Sequence, residues 1–99
     1  MYMPTENANK IMDVLNKALS IRNDLIFSVY DSSSYYGKSS DPHKIIELID
    51  GGAEEIAIKI RVKNTDNILG WLYLLPYECD VDCIVFDHTD NEFCDKIME

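Results

Sequence analysis

Between positions 54 and 63 the chain alternates without a break. Ile56, Ile58, Ile60 and Val62 fall on one side of an extended backbone, and Ala57, Lys59, Arg61 and Lys63 fall on the other. A period of two excludes a helix, so this is a strand with an apolar face toward a core and a basic face toward water. Asn64-Thr65-Asp66-Asn67 is turn chemistry, and ILGWLYLL follows at 68–75, which makes 54–75 a β-hairpin. The second arm is apolar on both sides of its alternation. It therefore reads as a central strand, with one face on the core and the other under a helix or a partner. Gly70 beside Trp71 signals close backbone approach or a bulge, and Pro76 ends the ladder.

The flanking segments supply what such a sheet packs against. After a flexible tail at 1–4, Thr5 can cap a helix reaching about residue 20, in which Ala8, Ile11, Met12, Leu15, Ala18 and Leu19 recur at spacings of three and four. LIFSVY at 25–30 has strand composition. The polar, periodless stretch 31–41 reads as a long loop, in which Tyr35 and Tyr36 offer contact area at low rotamer cost. A helix at 42–50 is punctuated by Asp41 and Pro42 before it and Gly51-Gly52 after it. CIVF at 83–86 is the next strand, and Thr89 with Glu92 fits a capping box for a last helix carrying Phe93, Ile97 and Met98. The order helix, strand, helix, three antiparallel strands, helix implies an α+β fold with the helices packed on one sheet. Ninety-nine residues, 46% of them hydrophobic, suit a single domain spanning 1–99.

Charge is distributed unevenly. Eighteen acidic and nine basic residues give a net charge of −9. Residues 1–75 hold ten acids and eight bases, a balance of −2. Residues 76–99 hold Glu78, Asp80, Asp82, Asp87, Asp90, Glu92, Asp95 and Glu99 against Lys96 alone, a balance of −7. Such a lobe repels phosphate backbones and anionic lipid and steers basic protein surfaces toward itself, so direct nucleic-acid binding is disfavoured. The longest apolar run is too short to span a bilayer, and no leader-like segment opens the chain. Three cysteines without such a segment fit reduced thiols, and the expectation is a cytoplasmic protein.

Constellations that would carry chemistry are weak. Gly37-Lys38-Ser39 resembles the end of a phosphate-binding loop, but Ser32 stands where the first glycine belongs, and Pro42 separates the lysine from the helix mouth. Cys79, Cys83, His88 and Cys94 lack a standard zinc spacing, and cysteines in apolar surroundings behave as small hydrophobes. Asp80, Asp82, Asp87 and Asp90 lack the glycine turn and alternating ligands of a calcium loop. A cysteine–histidine pair is opposed by the surrounding carboxylates, which raise a thiol's pKa. These residues imply neither an enzyme nor a bound metal or cofactor.

Over 70–91, GWLYLL, an acidic turn and CIVFDHTDN resemble the tail of small phage and prophage accessory proteins, in which a Trp-bearing strand leads through a turn into a strand ending in aspartate, an aromatic and a serine or threonine. Pro76-Tyr77-Glu78-Cys79 occupies the turn where those proteins commonly have Gly-Asn, and His88 occupies the aromatic position. The resemblance implies an inhibitor of host defence, of the anti-CRISPR or DNA-mimic type, acting in the bacterial cytoplasm. Carboxylates spaced on a rigid edge imitate phosphates and compete for Lys- and Arg-lined channels. The expected partner is a basic host protein or nucleoprotein complex. The expected contact residues are Glu78, Asp80, Asp82, Asp87, Asp90 and Glu92, with Tyr35 and Tyr36 adding area. An immunity protein or antitoxin neutralising a basic nuclease follows from the same logic, and a small metal-dependent enzyme using the aspartates is the competing class.

Overall fold

A computed structural model describes residues 3–32 and 34–99. The elements in chain order are α1 (Thr5–Ile21), β1 (Leu25–Tyr30), β2 (Tyr35–Ser39), α2 (Pro42–Ile49), β3 (Ile56–Val62), β4 (Ile68–Leu74), a 3₁₀ turn (Val81–Cys83), β5 (Val85–His88) and α3 (Glu92–Met98). The strands form one antiparallel sheet in the order β2-β1-β3-β4-β5. All three helices cover one face of it, completing a single α+β domain.

The alternation in β3 decides which face that is. Ile56, Ile58 and Ile60 are buried with Leu25, Phe27 and Val29 of β1 and Leu72 and Leu74 of β4, and onto them pack Ile11, Leu15 and Ala18 of α1, Ile45 and Ile49 of α2, and Ile97 of α3. A buried aliphatic side chain contributes about 1.5–3 kcal/mol, so this layer is the principal source of stability. Gly70 lies on the same face beneath α3. A Cβ there would overlap the sulfur of Cys94, which is the close approach its position next to Trp71 implied.

Several sequence expectations are corrected. The stretch 31–41 is not one long loop: residues 35–39 are an edge strand hydrogen-bonded to β1. Asp31 closes the hairpin, its Oδ1 accepting the Ser34 amide and its Oδ2 the Tyr36 hydroxyl at 2.7 Å. Of the tail at 1–4, residues 1 and 2 lie outside the described residues, while Met3 packs against the core and donates its amide to Asp50 at 2.9 Å. Thr5 is the first residue of α1 and not its cap; Pro4 precedes it with no side-chain cap bond. The sheet's central strand is β3, with β4 its neighbour. Among the described residues no helix covers the second face of β4. Cys83 is an exposed member of the 3₁₀ turn, and the strand begins two residues later. The cap of α3 is Asn91, accepting from the Cys94 amide at 2.8 Å, because Thr89 is engaged elsewhere: its hydroxyl accepts the Trp71 amide at 2.9 Å.

Three ladders break register, between Val29 and Tyr30, between Ile60 and Arg61, and between Tyr73 and Leu74; β1–β3 alone pairs without interruption.

Candidate functional site

Two surfaces emerge. The first is the acidic margin around β5, the edge strand opposite β2. Glu78 is half-buried in the turn after β4, and its carboxylate accepts the Cys79 amide. Asp80 caps the 3₁₀ turn, accepting from the Asp82 amide at 3.0 Å, and Asp82 is exposed within that turn. Asp87 lies on β5 opposite Tyr73, and Asp90 is exposed between β5 and α3. Glu92 opens α3 and pairs with Lys96 at 3.1 Å. Asp80, Asp82, Asp87 and Asp90 form no ion pair among the described residues. The carboxylates have an electrostatic consequence at Cys83. Its thiol pKa is raised, first by the charge of Asp80, then by partial desolvation and a 3.6 Å hydrogen bond to the same carboxylate. The thiol is thereby kept from the thiolate form that a nucleophile requires.

The acidic turn is tied to the far end of the chain by Asn7, which is buried in α1. Its Nδ2 donates to the carbonyls of Pro76 and Glu78, each at 2.8 Å. A polar residue on the core-facing side of a helix would be costly unless paired, and here the amide nitrogen makes both of its hydrogen bonds. It fixes where the acidic segment leaves the sheet. The sequence held a signal for it: Asn7 falls four residues before Ile11, on the apolar face of α1.

The second surface is the uncovered face of the sheet, the side on which the two-sided apolarity of β4 implies a helix or a partner. Pairing sets its residues in rows. Lys38, Ser28, Lys59 and Trp71 are neighbours across β2, β1, β3 and β4. Tyr35, Tyr30, Ala57, Tyr73 and Asp87 form a second row crossing all five strands. Ile26, Arg61 and Ile68 form a third. The aromatic rings are contiguous: Tyr30 and Tyr35 have centroids 5.1 Å apart, Tyr30 and Trp71 5.6 Å, and Trp71 and Tyr73 are stacked at 6.4 Å with 9° between planes. The Lys59 ammonium lies 5.4 Å from the Tyr30 ring centre and 5.9 Å from that of Trp71. Over the β2–β1–β3 part of this face is a shallow basin of about 590 Å³. At the other end Tyr73 and Phe86 line a smaller notch of about 200 Å³, rimmed by Asp31 and Glu55.

Tyr35 and Tyr36 do not act as a pair. As consecutive strand residues they point to opposite faces. Tyr35 is 54% exposed on the open face, whereas Tyr36 packs against the core with its hydroxyl on Asp31. That bond raises the Tyr36 phenol pKa, because ionisation would set two negative groups together. Among the described residues no group of three or more His, Cys, Asp or Glu is placed to hold a metal ion. Among the described residues no helix is long and apolar enough to cross a membrane. No protein-family model, curated protein or solved structure matches the chain.

Proposed function

We propose that the chain is a non-catalytic inhibitor whose acidic margin occupies the nucleic-acid-binding surface of a basic partner, a host defence complex of the kind that the resemblance to phage accessory proteins implies. The observation that carries this reading is the exposure of Asp80, Asp82, Asp87 and Asp90 around one sheet edge with no ion pair among the described residues. Charges not neutralised internally remain available to a cationic partner, and a positioned array loses little entropy when it binds. Asn7 supports the positioning, since it holds the backbone at Pro76 and Glu78. The raised thiol pKa of Cys83 is consistent with a surface that works by charge and not by nucleophilic attack.

The test begins with capture of the partner from a bacterial lysate and its identification by mass, followed by measurement of affinity against salt. Affinity should fall steeply as salt rises. Asp80→Lys, Asp82→Lys and Asp90→Lys together should weaken binding at least about a hundredfold at low salt, on about 1 kcal/mol per reversed charge. Binding indifferent to salt and to these reversals sinks the reading.

A further inference from the structure

We propose that the basin on the open face binds a mononucleotide, with the base stacked on Tyr35 and the phosphates held by Lys38, Lys59 and Arg61. The charge of the basin runs against that of the protein. In a chain with eighteen acids and nine bases, its lining carries three of those bases and one carboxylate, Asp66. None of the three cations forms a salt bridge among the described residues, whereas Arg22, Lys44 and Lys96 all do. Arg61 donates one nitrogen to the Thr65 carbonyl at 2.7 Å, which orients its guanidinium without neutralising it. Lys59 lies over two rings, which position its ammonium without supplying a counter-charge.

The arrangement matches a ligand with a flat apolar end and an anionic end. Lys38 and Lys59 flank Ser28 in one row, and Tyr35 and Tyr30 stand side by side in the next. Rows on one face of a sheet are about 7 Å apart along the strands, so ring and phosphate contacts are available to one small molecule. Tyr35, being half-exposed, presents a free ring surface. The volume, about 590 Å³, is within the usual range of small-ligand sites. A nucleic-acid strand fits less well. The tyrosine row ends at Asp87, and the neighbouring notch is rimmed by Asp31 and Glu55, so a phosphate chain crossing the sheet would run into carboxylates.

Trp71, the only tryptophan, contacts Tyr30 and lies beside Lys59, so its fluorescence reports occupancy. The full chain is titrated separately with adenosine and guanosine triphosphates, tripolyphosphate and a short oligothymidylate. Saturable change with a nucleoside triphosphate is expected, with affinity lowered about tenfold by Tyr35→Ala or by Lys59→Ala, the scale of one lost stack or cation. Tyr35→Phe should retain binding. Tyr35 is an exposed edge residue, so its variants keep the test informative if Lys59→Ala fails to fold. Asp80→Asn with Asp82→Asn should leave nucleotide affinity unchanged, which separates this site from the acidic margin. The proposal is overturned if no nucleotide binds saturably, if tripolyphosphate binds as tightly as the nucleotides, or if the oligonucleotide binds more tightly than they do.

Discussion

Replacing Asn7 by alanine removes a clamp between residues 69 and 71 positions apart in the chain. Its two hydrogen bonds contribute about 1 kcal/mol each, and the Pro76 carbonyl, at the buried end of the clamp, is left without this donor at a further cost of about 1–3 kcal/mol. Water can reach the half-buried Glu78 carbonyl and offset part of its loss. The expected destabilisation is therefore about 2–4 kcal/mol, equivalent in a domain of this size to a Tm lower by about 10–25 °C. Urea unfolding followed by far-ultraviolet circular dichroism measures it, with the midpoint moving and the slope unchanged. Asn7→Asp sharpens the test, because it preserves shape but sets a carboxylate against two carbonyl oxygens. Ionisation is then disfavoured in the folded state, and that carboxyl's folded pKa lies above its unfolded value. The variant's stability is fully present below the unfolded pKa and declines as pH rises through the folded one. A cost below about 0.5 kcal/mol for Asn7→Ala, or an Asn7→Asp stability profile parallel to the parent between about pH 4 and 8, would refute the reasoning.

Gly70→Ala should destabilise by about 1–3 kcal/mol through overlap with the Cys94 sulfur, and Cys94→Ala should recover much of that loss in the double variant, a coupling read from a denaturation cycle. Cys83 should alkylate slowly with iodoacetamide at neutral pH. Asp80→Asn should accelerate it, since the Asp80 charge is the leading cause of the raised thiol pKa and its removal increases the thiolate fraction. An unchanged rate would show that the carboxylate does not control the thiol.

What was legible in the sequence was what periodicity writes. The β3–β4 hairpin announces itself because Ile56, Ile58, Ile60 and Val62 must share a side, and α2 because Asp41, Pro42 and Gly51 mark its ends. The strand β2 left no such trace. An edge strand such as YYGKS buries little on either side, and its order comes from backbone pairing with β1 and from one aspartate closing the turn. Ile84 illustrates a different failure: CIVF reads as a continuous strand, yet Ile84 enters the core from the end of a 3₁₀ turn and only Val85 begins β5. The acids of the margin were legible as a group because charge clusters visibly. The open face was obscured because the two-sided apolarity of β4 fits a covering helix as well as a partner. Its outward Trp71 and Tyr73 join rings from β1 and β2, with Tyr30 lying 41 positions before Trp71, and the numbers alone do not show that they meet.

The interrupted ladders bear on how the molecule survives at high concentration. A flat sheet with one bare aromatic face and two open margins is a template on which further chains stack and extend. Here both outer pairings, β1–β2 and β4–β5, carry an irregularity, and each such irregularity coils the strand away from the plane that an incoming strand would need. Lys38 on one margin and Asp87 on the other add charge where a docking backbone would approach. The fold can thus leave Tyr35, Trp71 and Phe86 uncovered by any helix of the described residues while denying fibrillar growth a straight edge from which to begin.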